Sequence, residues 1–232
     1  VEGYYAGGIG GAITSSGSST FKFNNYTKGY RKEDASVYSY SSDVINVAVK
    51  ESNTVKGVQI GGLFGIINSG VVENCYTRAK LQGTDGKAVM GGFASYMLAS
   101  GFTNAGGSGN VGVVVNCYSA CTFSGSGQKY SITASYVHNY AGDNNGNSTR
   151  NAGFCFDYLF DNSVDGNAQY YASGNIFSNL FGKDNIQAKK STKDMKKSST
   201  YVDKGFSSMY WNLVDGSYAT LKIESSLWFK KD

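Results

Sequence analysis

Short apolar runs separated by glycine- and asparagine-rich turns recur along most of the chain. The clearest case is residues 60–77, IGGLFGIINSGVVENCYT, in which a glycine pair precedes one apolar run and the turn at residues 68–70 leads into a second. The second run ends in Asn74-Cys75-Tyr76-Thr77. Self-similarity of this kind is the sequence signature of repeat architectures. The pattern therefore predicts a stack of similar units.

Three further copies align with this phrase, each with a first run, a turn or loop of variable length, and a second run. In chain order these pairs of runs are residues 7–13 and 21–28, residues 90–97 and 111–118, and residues 132–137 and 152–158. Residues 29–56 form an insertion, and loops at 101–109 and 141–150 separate the runs of the last two copies. One copy cannot bury its own apolar face, so we expect copies to stack in parallel register about 4.8 Å apart. The fold class predicted is all-β, a parallel β-solenoid resembling a right-handed β-helix.

Composition divides the chain near residue 182. Residues 183–232 contain ten Lys and six acidic residues, which accounts for the whole net charge of +4. We expect residues 1–182 to form the solenoid and residues 183–232 to form a small mixed C-terminal cap, because an open end rung must be covered or paired. Within it, Ser191 or Thr192 is placed to cap a short helix over residues 193–197. The lysines of residues 189–197 suit a solvated helix face, with contact to phosphates or anionic glycans as the alternative.

Stacking would align equivalent residues of successive copies in columns. The predicted columns are Cys75, Cys117 and Cys155, with Asn25 at this place in the first copy; Asn24, Asn74 and Asn116; and Tyr26, Tyr76, Tyr118 and Phe156. The cysteines suit a ladder of small buried side chains, with a metal site or a disulfide as the alternative. The asparagines suit a ladder of side-chain amides. The aromatic column is either part of the core or an outward platform for sugar rings or a partner chain.

Metal and cofactor sites have little support in the sequence. Cys121 lies outside the cysteine column, and the chain contains no C-x-x-C pair, which argues against structural zinc. Asp143, Asn145 and Asn147 are spaced like the start of a calcium loop, but the glycine and the distal Glu of such a loop are missing. We expect an ordinary loop at this place that could contact a ligand or partner, and no metal or cofactor.

Catalytic signatures are equally sparse. His138 is the one histidine and has no nucleophile motif around it. Four carboxylates of the fourth copy could supply the pair that a polysaccharide hydrolase needs, and these are Asp143, Asp157, Asp161 and Asp165. The sequence does not bring any two of them together. We therefore expect a non-enzymatic protein, with a polysaccharide-degrading or polysaccharide-binding β-helix protein of the tailspike type as the alternative.

The repeated phrase resembles the GLUG motif of bacterial secreted and surface proteins. The residues that carry the resemblance are Gly61-Gly62-Leu63-Phe64-Gly65 and Val72-Glu73-Asn74-Cys75-Tyr76. Segments such as Gly216–Leu221 resemble those that follow these repeats in large adhesin-like proteins, although Ala219 stands where that family usually has proline. The resemblance implies an architecture and an extracellular or cell-surface location. It does not imply the protease activity of some family members, because their H-E-x-x-H signature is absent here.

The function predicted is that of an extracellular structural or adhesive module. It would self-assemble into a fibre or form part of a larger surface protein, with a host or cell-surface glycan or protein as a further partner. No run of 18 apolar residues is present to predict a membrane-spanning helix. No nucleic-acid fold is recognisable, and a chain that begins with Val suggests a processed product or a fragment.

Overall fold

The computed structural model describes residues 1–13, 21–22, 44–68, 70–97, 99–100, 108–134, 136–138, 153–164 and 188–225. These residues form a mainly β structure in which most strands pair in parallel. The first copy contributes β1 (Glu2–Gly7), β2 (Gly10–Ile13), β3 (Phe21–Lys22), β4 (Val44–Ile45) and β5 (Ala48–Val49). The second copy contributes β6 (Thr54–Gly61), β7 (Phe64–Ile67), β8 (Gly70–Glu73) and β9 (Tyr76–Thr77).

The later copies repeat this order with added strands. The third copy contributes β10 (Lys80–Gly83), β11 (Val89–Gly91), β12 (Ala94–Met97), β13 (Ala99–Ser100), β14 (Ser108–Val115) and β15 (Tyr118–Ser119). The fourth contributes β16 (Thr122–Gly125), β17 (Gln128–Tyr130), β18 (Tyr136–His138), β19 (Gly153–Phe156) and β20 (Leu159–Asp161). The C-terminal segment contributes β21 (Lys189–Lys190), helices α1 (Thr192–Met195) and α2 (Ser198–Val202), β22 (Trp211–Asn212), β23 (Thr220–Leu221) and a 3-10 turn (Lys222–Ser225).

Four sheets arise because most parts of a copy pair with the same part of the next copy, whereas β3 and β13 pair antiparallel with β14. Sheet A contains β1, β6, β10, β11, β16 and β17; sheet B contains β2, β7 and β12; sheet C contains β3, β4, β8, β13, β14, β18 and β19; and sheet D contains β5, β9, β15, β20 and β21. In sheet B, for example, Ile13, Ile67 and Met97 lie side by side in successive strands. The prediction of an all-β fold with parallel, in-register pairing of copies is therefore confirmed at the level of sheets and strands.

Alternate side chains of these strands fill one core between the sheets. The core includes Val55, Ile60, Ile67, Val72 and Met97, all with essentially no exposed surface. Every second residue of a strand lies on the same face of the sheet. A strand that alternates apolar and polar residues therefore buries its apolar side chains on one face. Burial of each large side chain contributes about 1.5–3 kcal/mol relative to exposure, and the stack is stabilised mainly through this core.

The glycine pairs lie at the tight corner between sheets A and B. A Cβ at Gly61 would overlap the carbonyl oxygens of Phe64 and Phe93 and the Cα of Ala94. Glycine is required here because the backbone of the neighbouring copy passes too closely for any side chain.

The predicted second run of the first copy is wrong. Residues 21–28 were expected to match residues 71–78, but β4 and β5 hold that place: Val44 pairs with Val72 and Ala48 pairs with Tyr76. Phe21 and Lys22 instead pair antiparallel with β14. Asn24, Asn25 and Tyr26 lie outside the described residues.

The C-terminal segment begins as predicted. The side chain of Ser191 caps α1 by accepting a hydrogen bond from the backbone N–H of Asp194 at 3.1 Å. β21 adds a strand to the end of sheet D by pairing with β20. The expected boundary near residue 182 falls outside the described residues.

Candidate functional site: the corner columns and the aromatic cluster

The corner between sheets C and D is built in each copy on one residue with a left-handed backbone. These residues are Asn46, Asn74, Asn116 and Asp157, with φ angles of 58°, 49°, 49° and 46°. Asn and Asp tolerate this conformation better than other residues with a Cβ, because their short polar side chains can form local hydrogen bonds. The corner therefore selects Asn or Asp at this place.

Asn74 and Asn116 were predicted to stack, and they occupy equivalent corners of the second and third copies. The Asn74 side chain bonds to the C-terminal segment and not to the next asparagine: its Oδ1 accepts a hydrogen bond from Trp211 Nε1 at 3.3 Å. Its Nδ2 is buried without a hydrogen-bond partner among the described residues, as is Oδ1 of Asn46. The amide of Asn74 thus ties the corner to the C-terminal segment.

Two cysteines follow the corner asparagines and form hydrogen bonds between copies. Cys117 Sγ accepts from the backbone N–H of Cys75 at 3.3 Å, and Cys75 Sγ accepts from that of Val47 at 3.4 Å. Each thiol also donates to the carbonyl two residues earlier, to Glu73 from Cys75 and to Val115 from Cys117. The two sulfur atoms thereby give the backbone N–H groups of Val47 and Cys75 an acceptor, which a purely apolar side chain cannot do.

Cys155 does not belong to this column, and its prediction there is wrong. It pairs with Val114, three residues before Cys117, and Tyr158 takes the place of Cys117 in the fourth copy. Its Sγ lies 3.6 Å from Met97 Sδ inside the core. Val114 and Cys117 both face the core although they are three residues apart, because the left-handed Asn116 lies between them and interrupts the alternation. A register error of three residues therefore still places a core-facing residue at each position.

All four thiols are free and buried. Burial raises the pKa of Cys117 and of Cys155, and raises the pKa of Cys121 to about 11. Since the thiolate is the reactive form, Cys117, Cys121 and Cys155 are poor nucleophiles and poor metal ligands. Within the described ranges, no group of three His, Cys, Asp or Glu side chains is placed to hold a metal ion.

The aromatic column consists of Tyr76 and Tyr118, whose rings stack with centroids 4.9 Å apart and planes 2° apart. Ala48 and Leu159 hold this place in the first and fourth copies, and Phe156 pairs with Val115 instead. Both tyrosines are 0% exposed. The outward platform is therefore excluded for them, because another part of the chain covers the outer face of sheet D.

That cover is the C-terminal segment, which adds its own rings to form an aromatic cluster. The aromatic cluster is defined here as Tyr76, Tyr118, Tyr201, Phe206, Trp211 and Tyr218. The Trp211 ring lies 5.9 Å from that of Tyr118 and 5.0 Å from that of Phe206. Tyr218 stacks on Tyr118 with centroids 6.2 Å apart. Such offset and tilted pairs are favourable beyond their burial, by about 0.5–1.5 kcal/mol each.

Polar contacts join the C-terminal segment to all four copies. Glu224 Oε2 accepts from the Tyr76 hydroxyl at 3.1 Å and lies 3.0 Å from Lys50 Nζ. The Tyr118 hydroxyl donates to the carbonyl of Ala219 at 2.7 Å. Tyr218 donates to Asp161 Oδ2 at 2.6 Å. The segment therefore lies along the side of the stack as well as at its end.

Arg78 lies at one edge of the aromatic cluster. Its guanidinium lies 5.1 Å from the Tyr76 ring centre and 5.5 Å from that of Tyr218, within the range of a cation–π contact. Its Nε lies 3.0 Å from Glu51 Oε2. Burial raises the pKa of Tyr76 and Tyr118, so both hydroxyls stay protonated and donate hydrogen bonds.

Three of the predicted catalytic candidates, Asp157, Asp161 and His138, lie in the part of the chain that the structure describes. Asp161 is 5% exposed and accepts from Tyr218 and from the backbone N–H of Ser163, so it is engaged in structure. Asp157 forms the fourth corner, and His138 pairs with Cys155 in sheet C. The remaining candidates lie outside the described residues, and these are Asp143, Asn145, Asn147 and Asp165.

Sequence reasoning missed Asn46, Trp211 and Glu224. Asn46 carried a signal, since an Asn between alternating apolar residues marks a left-handed turn. The sequence around Trp211 and Glu224 gave no signal of their contacts, because their partners lie far away in the chain.

Searches against protein-family models, curated proteins and solved structures each returned no match. In the part of the chain that the structure describes, no helix is long and apolar enough to cross a membrane.

Proposed function

We propose that this chain is a non-catalytic structural or adhesive module, built as a parallel β-solenoid and located outside the cell or at its surface. The observation that carries the proposal is the register of the copies. Each part of a copy pairs in parallel with the same part of the next, and the four corner residues share one backbone conformation. Repetition of one rung gives a rigid rod that needs no active site to be useful.

Polar side chains at or next to the repeated positions are used in structure. The corner amide of Asn74 bonds Trp211, the thiol of Cys117 bonds the backbone of Cys75, and Asp161 bonds Tyr218. The resemblance to the GLUG motif favours a secreted or surface protein. The low content of charged residues, 16%, together with 18 Tyr, suits an extended β-surface that makes contacts with other molecules.

The proposal is tested by measuring binding and hydrolysis on the same preparation. We expect the purified chain to bind a surface glycan or protein, or copies of itself, and to release no reducing ends from capsular or cell-wall polysaccharides. Cleavage that is lost in Asp157→Asn or Asp161→Asn, with the far-ultraviolet circular dichroism unchanged, would overturn the non-catalytic assignment. The Asp203→Asn variant serves as a control, because Asp203 lies in the C-terminal segment and is exposed.

The location is tested separately. We expect the complete open reading frame to encode a secretion signal or a surface anchor, and cell fractionation to find the protein outside the membrane. Recovery from the cytoplasm alone would refute this part of the proposal and leave the structural role standing.

A further inference from the structure

Asp-Gly pairs are places where a protein backbone can rearrange without an enzyme. The aspartate carboxyl forms a cyclic imide with the next backbone nitrogen most easily when that next residue is glycine, since glycine has no side chain to obstruct the approach. The chain contains three such pairs, and the structure describes two of them, Asp85-Gly86 and Asp215-Gly216. All four residues are exposed. A comparison of the two pairs therefore isolates the effect of their hydrogen bonds.

The carboxyl of Asp85 is folded back over its own turn. The N–H of Ala88 donates to the Asp85 carbonyl at 3.1 Å, which closes a β-turn between β10 and β11. The N–H of Lys87 donates to Asp85 Oδ1 at 2.8 Å. A side-chain bond to the N–H two residues on is an Asx turn, and it places Cγ of Asp85 beside the intervening nitrogen, that of Gly86. The two atoms that must join are therefore neighbours in the folded chain.

The surroundings leave the Gly86 nitrogen accessible. Residues 84–87 are all exposed. Apart from the chain neighbours of Gly86, no described heavy atom lies within 4 Å of the place that a Cβ would take. No backbone carbonyl of the described residues accepts a hydrogen bond from the Gly86 N–H. Attack by this nitrogen therefore has room and breaks no backbone hydrogen bond of its own.

Both reacting groups of the second pair are bonded elsewhere. The N–H of Gly216 donates to the carbonyl of Lys196 at 2.8 Å. Asp215 Oδ1 accepts from the N–H of Ser198, the first residue of α2, at 2.8 Å. These two bonds hold the pair against the residues between α1 and α2. Imide formation here requires at least one of them to break first, so the fold should slow it.

We propose that Asp85 is a site of spontaneous isomerisation to isoaspartate and that the fold protects Asp215 from the same reaction. The Gly86 nitrogen attacks Cγ of the protonated Asp85 carboxyl and forms a C–N bond, while one carboxyl oxygen leaves as water with the proton of that nitrogen. Water then opens the imide at the original main-chain carbonyl of Asp85. The backbone now runs through Cγ, and the α-carboxylate is released. This modification goes beyond the proposed function and does not depend on it.

The test is incubation of the full folded chain in neutral buffer, sampled over time. Trypsin cleaves after lysine and releases residues 81–87 and residues 205–222 as separate peptides. Chromatography with electron-transfer fragmentation then measures the isoaspartyl form of each. We expect isoaspartate to accumulate about tenfold faster at Asp85 than at Asp215, which corresponds to about 1.4 kcal/mol, the net contribution of roughly one hydrogen bond. In the urea-denatured chain the two rates should be similar.

Two variants change one site each. Gly86→Ala should slow the reaction at Asp85 several-fold, because the added methyl group obstructs the nitrogen, and its Cβ meets open space in the fold. Ser198→Pro removes the N–H that holds the Asp215 carboxyl and should raise the rate at Asp215 several-fold without changing that at Asp85. Proline is well tolerated at the first position of a helix. Far-ultraviolet circular dichroism checks that each variant is folded.

Three results would overturn the proposal. One is an equal rate at the two sites in the folded wild-type chain. Another is the absence of isoaspartate at Asp85 in the folded chain when the denatured chain forms it there. The third is a folded Ser198→Pro variant in which Asp215 reacts no faster than in the wild type. The wild-type comparison stands by itself if either variant fails to fold.

Discussion

Replacement of Trp211 by Phe tests whether the C-terminal segment is part of the fold of the stack. Trp211 is 1% exposed, and its Nε1 is the donor to Asn74 Oδ1. Phenylalanine keeps a ring in the aromatic cluster but removes the donor and part of the volume. Since Asn74 Nδ2 has no partner among the described residues, the whole amide would then be buried without a hydrogen bond. An orphaned buried acceptor costs about 1–3 kcal/mol, and the smaller ring adds a cavity cost of about 1 kcal/mol.

A double-mutant cycle isolates the hydrogen bond from the cavity. Glycine at position 74 accepts the left-handed backbone without strain and removes the amide that Trp211 satisfies. In the Asn74→Gly background, Trp211→Phe should therefore cost about 1–3 kcal/mol less than in the wild type. Asn116→Gly is the matched control, because Asn116 has the same φ of 49° in the next copy while the Trp211 bond goes to Asn74. Its effect should add to that of Trp211→Phe within about 0.5 kcal/mol.

The measurement is urea denaturation followed by far-ultraviolet circular dichroism. A coupling energy below about 0.5 kcal/mol for the Asn74 cycle, or an equal coupling in the Asn116 control, would refute the assigned role of this bond. A second probe tests cooperativity: with Trp228→Phe, Trp211 is the only tryptophan of the chain. Its fluorescence should change at the same urea concentration as the circular dichroism. An earlier change would mean that the segment detaches before the stack unfolds.

Four further predictions concern the corners, the core and the aromatic cluster. Gly91→Ala should lower the free energy of unfolding by about 1–3 kcal/mol, because its Cβ would overlap the carbonyl oxygens of Ala94 and Ile132; Gly86→Ala, with open space around it, is the control in the same urea series. Asn116→Ala should cost about 1–2 kcal/mol more than Asn116→Gly, and equal costs would contradict a left-handed corner. Dithionitrobenzoate should label none of the four thiols in the native state, and rapid labelling of Cys121 would contradict its burial. Burial holds the pKa of Tyr118 above its unfolded value, so its contribution to stability is complete below about pH 10 and is lost as pH rises toward the folded pKa. Tyrosinate absorbance should accordingly rise together with alkaline unfolding, and titration of every tyrosine before unfolding would refute this.

Repetition in the sequence was sufficient to predict that the copies pair in parallel. It was not sufficient to predict the register in which they pair. The predicted corner of the fourth copy is three residues too early. Val114 and Cys117 both face the core on either side of Asn116, so burial alone does not decide whether Cys155 aligns with Cys117 or with Val114. The left-handed corner decides between them. Asp157 can adopt that conformation easily, whereas Phe154, which precedes Cys155, cannot. A search for Asn, Asp or Gly at the corner would have corrected this copy.

The first copy could not be corrected in this way. Both candidate runs contain an asparagine in the right place, Asn24 in one and Asn46 in the other. The choice of residues 44–49 rests on pairing with β8 and β9, which the local sequence does not encode. The local sequence does not encode the burial of Tyr76 either. That burial depends on Glu224 and Trp211, which lie 148 and 135 residues further along the chain.

The position of the C-terminal segment has a consequence for how the stack unfolds. In a repeat protein each copy contacts only its neighbours, so the end copies open before the middle ones. Here one segment contacts Lys50, Tyr76, Tyr118 and Asp161, one residue from each copy. Opening the first copy therefore breaks the Lys50–Glu224 ion pair and loosens a segment that also covers the third. Long-range contacts of this kind convert a row of separate units into one cooperative structure. The proposed structural role would benefit from this cooperativity, because the end copies would stay closed until the whole stack unfolds.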